Sequence, residues 1–181
     1  MAVKKKDEGK KNRVLVLGIG NILLKDEGFG VRALDAFTHA CALPQNVKCV
    51  DGGTAGLNLL TTVKGFSHII ILDAVLAQSP PGTLHRLTEK TIDSVPLLKT
   101  SAHELGIKEL LFLTRFQDSS PKIAVIGVTP HDVSPGLDLS PAVKDALPKA
   151  VRAICDELGK LHITVKERPH DARAVDSQEP A

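Results

Sequence analysis

Four short stretches of this chain are almost wholly apolar and then stop abruptly. Residues 13–17 stop at Gly18, 47–50 at Asp51-Gly52-Gly53, 68–72 at Asp73, and 122–128 at Thr129-Pro130. A strand with no polar alternation must be buried on both faces, and that burial requires helices on both sides of a mostly parallel sheet. Helical spacing lies between the runs. Val31, Leu34, Phe37 and Cys41 recur at threes and fours, which predicts a helix over 29–41. Thr54 suits the N-cap of a short helix through Lys64, and 103–116 reads as another helix. Ser140 and Pro141 suit the N-cap and first position of a last helix through Leu158, with a kink predicted at Pro148. Residues 83–87 alternate and read as an edge strand, and 162–165 as a final short strand. The fold class is therefore α/β: a three-layer α/β/α sandwich around a twisted, mainly parallel sheet.

The length of 181 residues fits one domain, placed at 13–166. Residues 1–12 form a basic tail without apolar periodicity, and 167–181 read as a second solvated tail. The formal charge is +2, and residues 1–13 alone contribute six Lys/Arg against two acids. The rest of the chain is thus slightly acidic, and with no Trp, no Tyr and five Phe it offers no platform for stacking bases. Nucleic acid is not an expected partner. The longest apolar run, 14–24, is too short to span a bilayer, so a membrane is not expected either. The basic segment before it resembles a signal peptide, but Asp26-Glu27-Gly28 follows where a cleavage site of small residues belongs. Cys41, Cys49 and Cys155 are scattered and odd in number, which favours a reducing cytoplasm over a disulfide framework or a zinc knuckle.

In parallel sheets ligands bind beyond the carboxyl ends of the strands. Asp26 and Glu27 follow the first strand, Asp51 ends the second, Asp73 ends the third, and a helix opening at His103 brings an imidazole to the same rim. Carboxylates with one imidazole suit a divalent ion such as nickel or zinc, or the activation of a water. Each residue also has a structural reading. Aspartate caps turns after strands, Asp26 and Glu27 favour a helix N-terminus, and His103 can open a helix without holding a ligand. Their joint placement favours a site. Gly18-x-Gly20 invites a dinucleotide reading with Asp51 on a ribose, but Leu23 occupies the third glycine position and two acids sit near the pyrophosphate. His103-Glu104 begins an H-E-x-x-H pattern that Ile107 breaks. No G-x-S-x-G is present, and no cysteine sits where a thiol nucleophile belongs.

The block Gly18-Ile-Gly20-Asn21-Ile22-Leu23-Leu24-Lys25-Asp26-Glu27-Gly28-Phe29-Gly30-Val31-Arg32 resembles the hydrogenase maturation endopeptidases, which process the large subunit of nickel–iron hydrogenases. Further matching blocks are 51–57, 71–74, 101–106 and, more weakly, 126–130, in family order across 13–158. The resemblance implies a peptidase that removes the C-terminal extension of a large-subunit precursor already holding nickel. It maps the metal contacts onto Glu27, Asp73 and His103, and Asp51 onto a further motif aspartate. Nickel would arrive with the substrate, with no cofactor permanently bound, and the enzyme would work as a cytoplasmic monomer. An aspartic-type and a metal-assisted mechanism both fit. One departure is Ala102, where relatives often carry proline. The alternatives are a non-cleaving, metal-sensing maturation chaperone and a nucleotide-dependent α/β enzyme.

Overall fold

The computed structural model describes residues 13–55, 59–88, 90–92 and 121–168. The helix predicted at 103–116, the basic tail and most of the C-terminal tail lie outside the described residues. Five strands form the main sheet: β1 (Val14–Ile19), β3 (Val47–Gly53), β4 (His68–Ala74), β5 (Leu84–Thr88) and β6 (Lys122–Val128). Their order is β3-β1-β4-β6-β5, parallel throughout except for β5, which runs antiparallel along β6 at the edge. The alternating pattern at 83–87 thus belongs to an edge strand, as expected.

Strand pleating divides the apolar side chains between two cores. Val14, Val16, Ile70, Leu72, Ile126 and Val128 face one side. There they meet Phe29, Leu34 and Phe37 of α1 (Phe29–Ala40) and Ile154 and Leu158 of a C-terminal helix. Leu15, Leu17, Ile69, Ile71 and Val125 face the other side, against Leu59 of α2 (Leu59–Thr62), Val63, Phe66 and Ile92. The unbroken apolar runs are explained: the sheet is buried on both faces, the sandwich expected from sequence.

The elements depart from expectation at their ends. Thr54 lies in a turn ahead of α2, which stops short of Lys64. The pattern over 140–158 is two helices, α3 (Pro141–Lys144) and α4 (Leu147–Lys160), not one kinked rod. Pro148 sits in the first turn of α4, where a missing N–H sacrifices no helical bond. Helix α1 ends at Ala40, one residue early, because Cys41 is already extended at φ −127, ψ 140. Cys41–Ala42 form β2, which pairs antiparallel with β7 (Lys166–Glu167). The last strand was expected at 162–165. His162 instead adopts φ +58 and closes α4: its amide donates to the Gly159 carbonyl and that of Ile163 to the Leu158 carbonyl. This left-handed helix ending occupies the start of the expected strand and delays pairing to Lys166. Glu167, assigned from sequence to the tail, pairs with Cys41, and the Arg168 amide donates to the Ala40 carbonyl.

Candidate active site

Two glycines set the geometry at the carboxyl edge of the sheet. Gly20, just past β1, has φ +133, and a Cβ there would lie 1.9 Å from the Glu27 carbonyl oxygen. Gly30 in the first turn of α1 is gripped more tightly: a Cβ would lie 2.1 Å from the Leu72 oxygen and 2.2 Å from that of Ile19. The start of α1 therefore rests directly on the ends of β1 and β4. That contact carries the preceding 3-10 turn, Lys25–Gly28, to the end of the strand bearing Asp73.

Within this turn the two acids serve different purposes. Asp26 is fully buried. Its Oδ2 accepts from the His131 amide at 2.8 Å, the Asp132 amide at 2.9 Å and the Ser140 hydroxyl at 2.8 Å. Its Oδ1 accepts from the Ser140 amide at 2.7 Å. Asp26 is thus a clamp joining the first loop to the segment between β6 and α3, and Ser140 spends its hydroxyl on this clamp instead of capping α3. Lys25, at φ +43, reinforces it with a 2.6 Å ion pair to Asp132. The hydrogen bond from Lys25 holds the Asp132 carboxyl well below the usual carboxylate range.

Glu27 is 6% exposed. Asp73 is half-buried, and its Oδ1 accepts from the Ala74 amide at 2.8 Å. Burial pushes the Asp73 carboxyl well above its ordinary value; the Ala74 bond opposes the shift, and the charge of Glu27 adds to it. The Glu27 charge beside the Asp73 carboxyl is relieved by a proton on Asp73 or by a cation. Asp51 lies at the same sheet edge but is exposed, and its Oδ1 accepts from the Gly53 amide at 2.8 Å. Strand alternation puts it on the α1 side with Val47 and Cys49, whereas Asp73 follows Ile69 and Ile71 on the other face. The structure sets Glu27 where its charge acts on Asp73, and strand alternation sends Asp51 to the other face of the same edge. His103 lies outside the described residues. Among the described residues no three His, Cys, Asp or Glu side chains form a ready metal site.

The family model for hydrogenase maturation proteases matches residues 31–157. The chain belongs to this family. It is 36% identical over 163 residues to hydrogenase 2 maturation protease of Escherichia coli K12, covering 88% of this chain and 99% of that one. It is 37% identical to the hydrogenase expression/formation protein HupD of Bradyrhizobium diazoefficiens, covering 87% and 83%. Its fold matches the E. coli hydrogenase maturating endopeptidase HybD with a TM-score of 0.79 at 35% identity, over 86% of this chain and 98% of that one. The protein is a hydrolase, an endopeptidase of hydrogenase maturation.

For a maturation protease the Gly18-x-Gly20 motif takes on a different meaning. A Cβ at Gly18 would lie 2.6 Å from the Gly30 carbonyl oxygen, so both glycines serve contacts inside the protein. The dinucleotide reading loses its main support. Sequence reasoning also passed over His85. It lies in the same row as Asp73, since both pair with Gly127. Its Nε2 is 2.9 Å from both the Ser79 and Thr129 hydroxyls, which ties the segment after β4 to the end of β6. Val75 fills the space above Gly127, with its Cγ1 2.6 Å from where a Cβ would be. No helix among the described residues is long and apolar enough to cross a membrane.

Proposed function

We propose that this protease removes the C-terminal extension from the large-subunit precursor of a nickel–iron hydrogenase, that it reads nickel already held by the precursor, and that it does so in the cytoplasm as a monomer. The observation that supports this reading best is the meeting of two acids at the sheet edge: burial pushes the Asp73 carboxyl up, and the charge of Glu27, itself only 6% exposed, adds to the shift. Asp73 so placed favours its proton when the site is empty, and the two acids together favour a divalent cation when one is offered. Glu27 and Asp73 supply two oxygens to the substrate's metal, and His103 supplies a nitrogen. Precursor without nickel offers these ligands no metal to contact, so selectivity comes from the difference in affinity between loaded and empty substrate. Nickel held beside the scissile bond would polarise its carbonyl; a carboxylate oxygen accepts a proton from the water that adds to the carbonyl carbon and returns it to the leaving amine nitrogen as the C–N bond breaks. Asp51, on the other face of the edge, flanks this chemistry.

The test is incubation with nickel-loaded and nickel-free precursor, read by mass spectrometry. Only the loaded chain is expected to shorten, and Glu27→Gln or Asp73→Asn to abolish the shortening in a folded protein. Equal cleavage of both precursors would remove nickel from the reading. An unshortened loaded precursor would remove the substrate.

A further inference from the structure

The loop that carries Glu27 also presents apolar side chains that the fold leaves in solvent. Ile22 is 39% exposed, Leu23 59% and, from a distant part of the chain, Leu137 60%. Single exposed leucines are ordinary, but Leu23 and Leu137 are held together by the backbone. The Gly136 amide donates to the Leu23 carbonyl and the Lys25 amide to the Gly136 carbonyl, both at 2.9 Å. Leu24 and Gly136 form a parallel bridge, and the Leu137 carbonyl accepts from Arg32 of α1 at 3.3 Å. The Asp26 clamp and the Lys25–Asp132 pair lock the same two loops from beneath. The leucines are therefore held out on a fixed platform beginning four residues before Glu27, and on a rigid platform they cannot fold away from water. Leu76, 47% exposed, lies three residues beyond Asp73.

An endopeptidase must lay a polypeptide across its reacting acids, and these exposed apolar side chains stand on the loop that carries Glu27 and on the segment bonded to it. We propose that Ile22, Leu23 and Leu137 form a docking ledge for an extended stretch of the substrate precursor beside the scissile bond, one that offers apolar side chains. The inference rests on the substrate reading above. Apolar contact far from the reacting atoms is made equally in ground and transition state, so it governs KM more than kcat.

The experiment is steady-state cleavage of nickel-loaded precursor by wild type, by Leu23→Ser with Leu137→Ser, and by Leu23→Met. The double variant is expected to raise KM roughly tenfold or more with kcat within about twofold, and Leu23→Met to behave as wild type. Thermal unfolding of the double variant should match wild type, since both side chains stand in solvent. An unchanged KM overturns the ledge while leaving the substrate reading intact; a fall in kcat alone also overturns it. Failure of the wild-type protein to shorten loaded precursor overturns the substrate reading and the ledge's occupant with it. A dimer lost in the double variant with cleavage unchanged would assign the surface to a second copy of this chain, against the proposal.

Discussion

Asp26 and Glu27 are adjacent, chemically alike and both buried, yet replacing them is expected to give opposite results. In Asp26→Asn one oxygen remains. Placed at the Oδ2 position, it keeps the contacts to His131, Asp132 and the Ser140 hydroxyl. The new amide NH2 then faces the Ser140 N–H across what had been a 2.7 Å bond. A buried donor left unsatisfied costs about 1–3 kcal/mol. The retained bonds lose charge assistance, roughly 1 kcal/mol each, and removing the burial cost of a carboxylate returns part of this. The net expectation is a loss of about 2–5 kcal/mol, out of the roughly 5–15 that a domain of this kind possesses. At a urea slope of about 2 kcal/mol per molar, the midpoint falls by roughly 1–2.5 M. With no Trp and no Tyr in the chain, far-UV circular dichroism is the suitable probe. Glu27→Gln removes the charge that acts on Asp73 and is expected to leave the midpoint within about 0.3 M of wild type while abolishing cleavage. An Asp26→Asn midpoint equal to wild type, or a Glu27→Gln loss as large as that of Asp26→Asn, would refute the division of labour.

Three further outcomes follow from the same structure. Gly30→Ala drives a Cβ to 2.1 Å from the Leu72 carbonyl and is expected to cost about 3 kcal/mol or more, whereas Gly159→Ala on α4, with nothing within 4 Å, should gain about 0.5–1 kcal/mol; equal midpoints in urea would discredit the contact. The raised pKa of Asp73 means that the folded state holds its proton where the unfolded chain has released it, so this carboxyl opposes folding increasingly as pH rises above its ordinary 3.8. Asp73→Asn should therefore melt higher than wild type by a margin that widens from there toward neutral pH, and a margin constant with pH would contradict the shift. Burial, with Cys41 adding, pushes the Cys49 thiol to about 12, and burial with the same neighbour pushes Cys155 to about 11; alkylation at pH 8 should run on the order of a hundredfold or more slower than for free cysteine, and comparable rates would contradict those environments.

The sheet was legible because burial on both faces leaves an uninterrupted apolar run, and β1, β4 and β6 each show one. The same property concealed which way each strand-end acid points. With both faces apolar, nothing in 69–72 reveals pleat parity, and in 47–50 only Lys48 breaks the run, so Asp51 and Asp73 looked equivalent although strand alternation sends them to opposite faces. Glu27 and Asp73 were found because the strand-end rule locates an edge. The role of Asp26 was out of reach: its partners His131, Asp132 and Ser140 lie more than a hundred residues away, and no local pattern records such a bond. The β2–β7 pair was missed for a related reason, since two-residue strands carry no periodicity and their register depends on where α1 and α4 happen to end.

The two acids of the first loop are best understood as one device. A carboxylate is costly to bury unless donors converge on it, and Asp26 gathers three backbone amides and a hydroxyl from the segment after β6. That convergence fixes the 3-10 turn in a single position, which in turn fixes Glu27 at the end of β4. Only with Glu27 so held does its charge act on Asp73 instead of swinging into solvent, where water would screen it. The repulsion felt by Asp73 is therefore maintained by hydrogen bonds made one residue away and facing elsewhere. Weakening the clamp should remove the share of the Asp73 shift that Glu27 adds, leaving the larger share due to burial, before the fold is lost. In Asp26→Asn, held folded well below its melting temperature, the Asp73 carboxyl carbon followed by NMR across a pH titration should titrate lower than in wild type. An unmoved titration in a destabilised clamp would separate the two acids again.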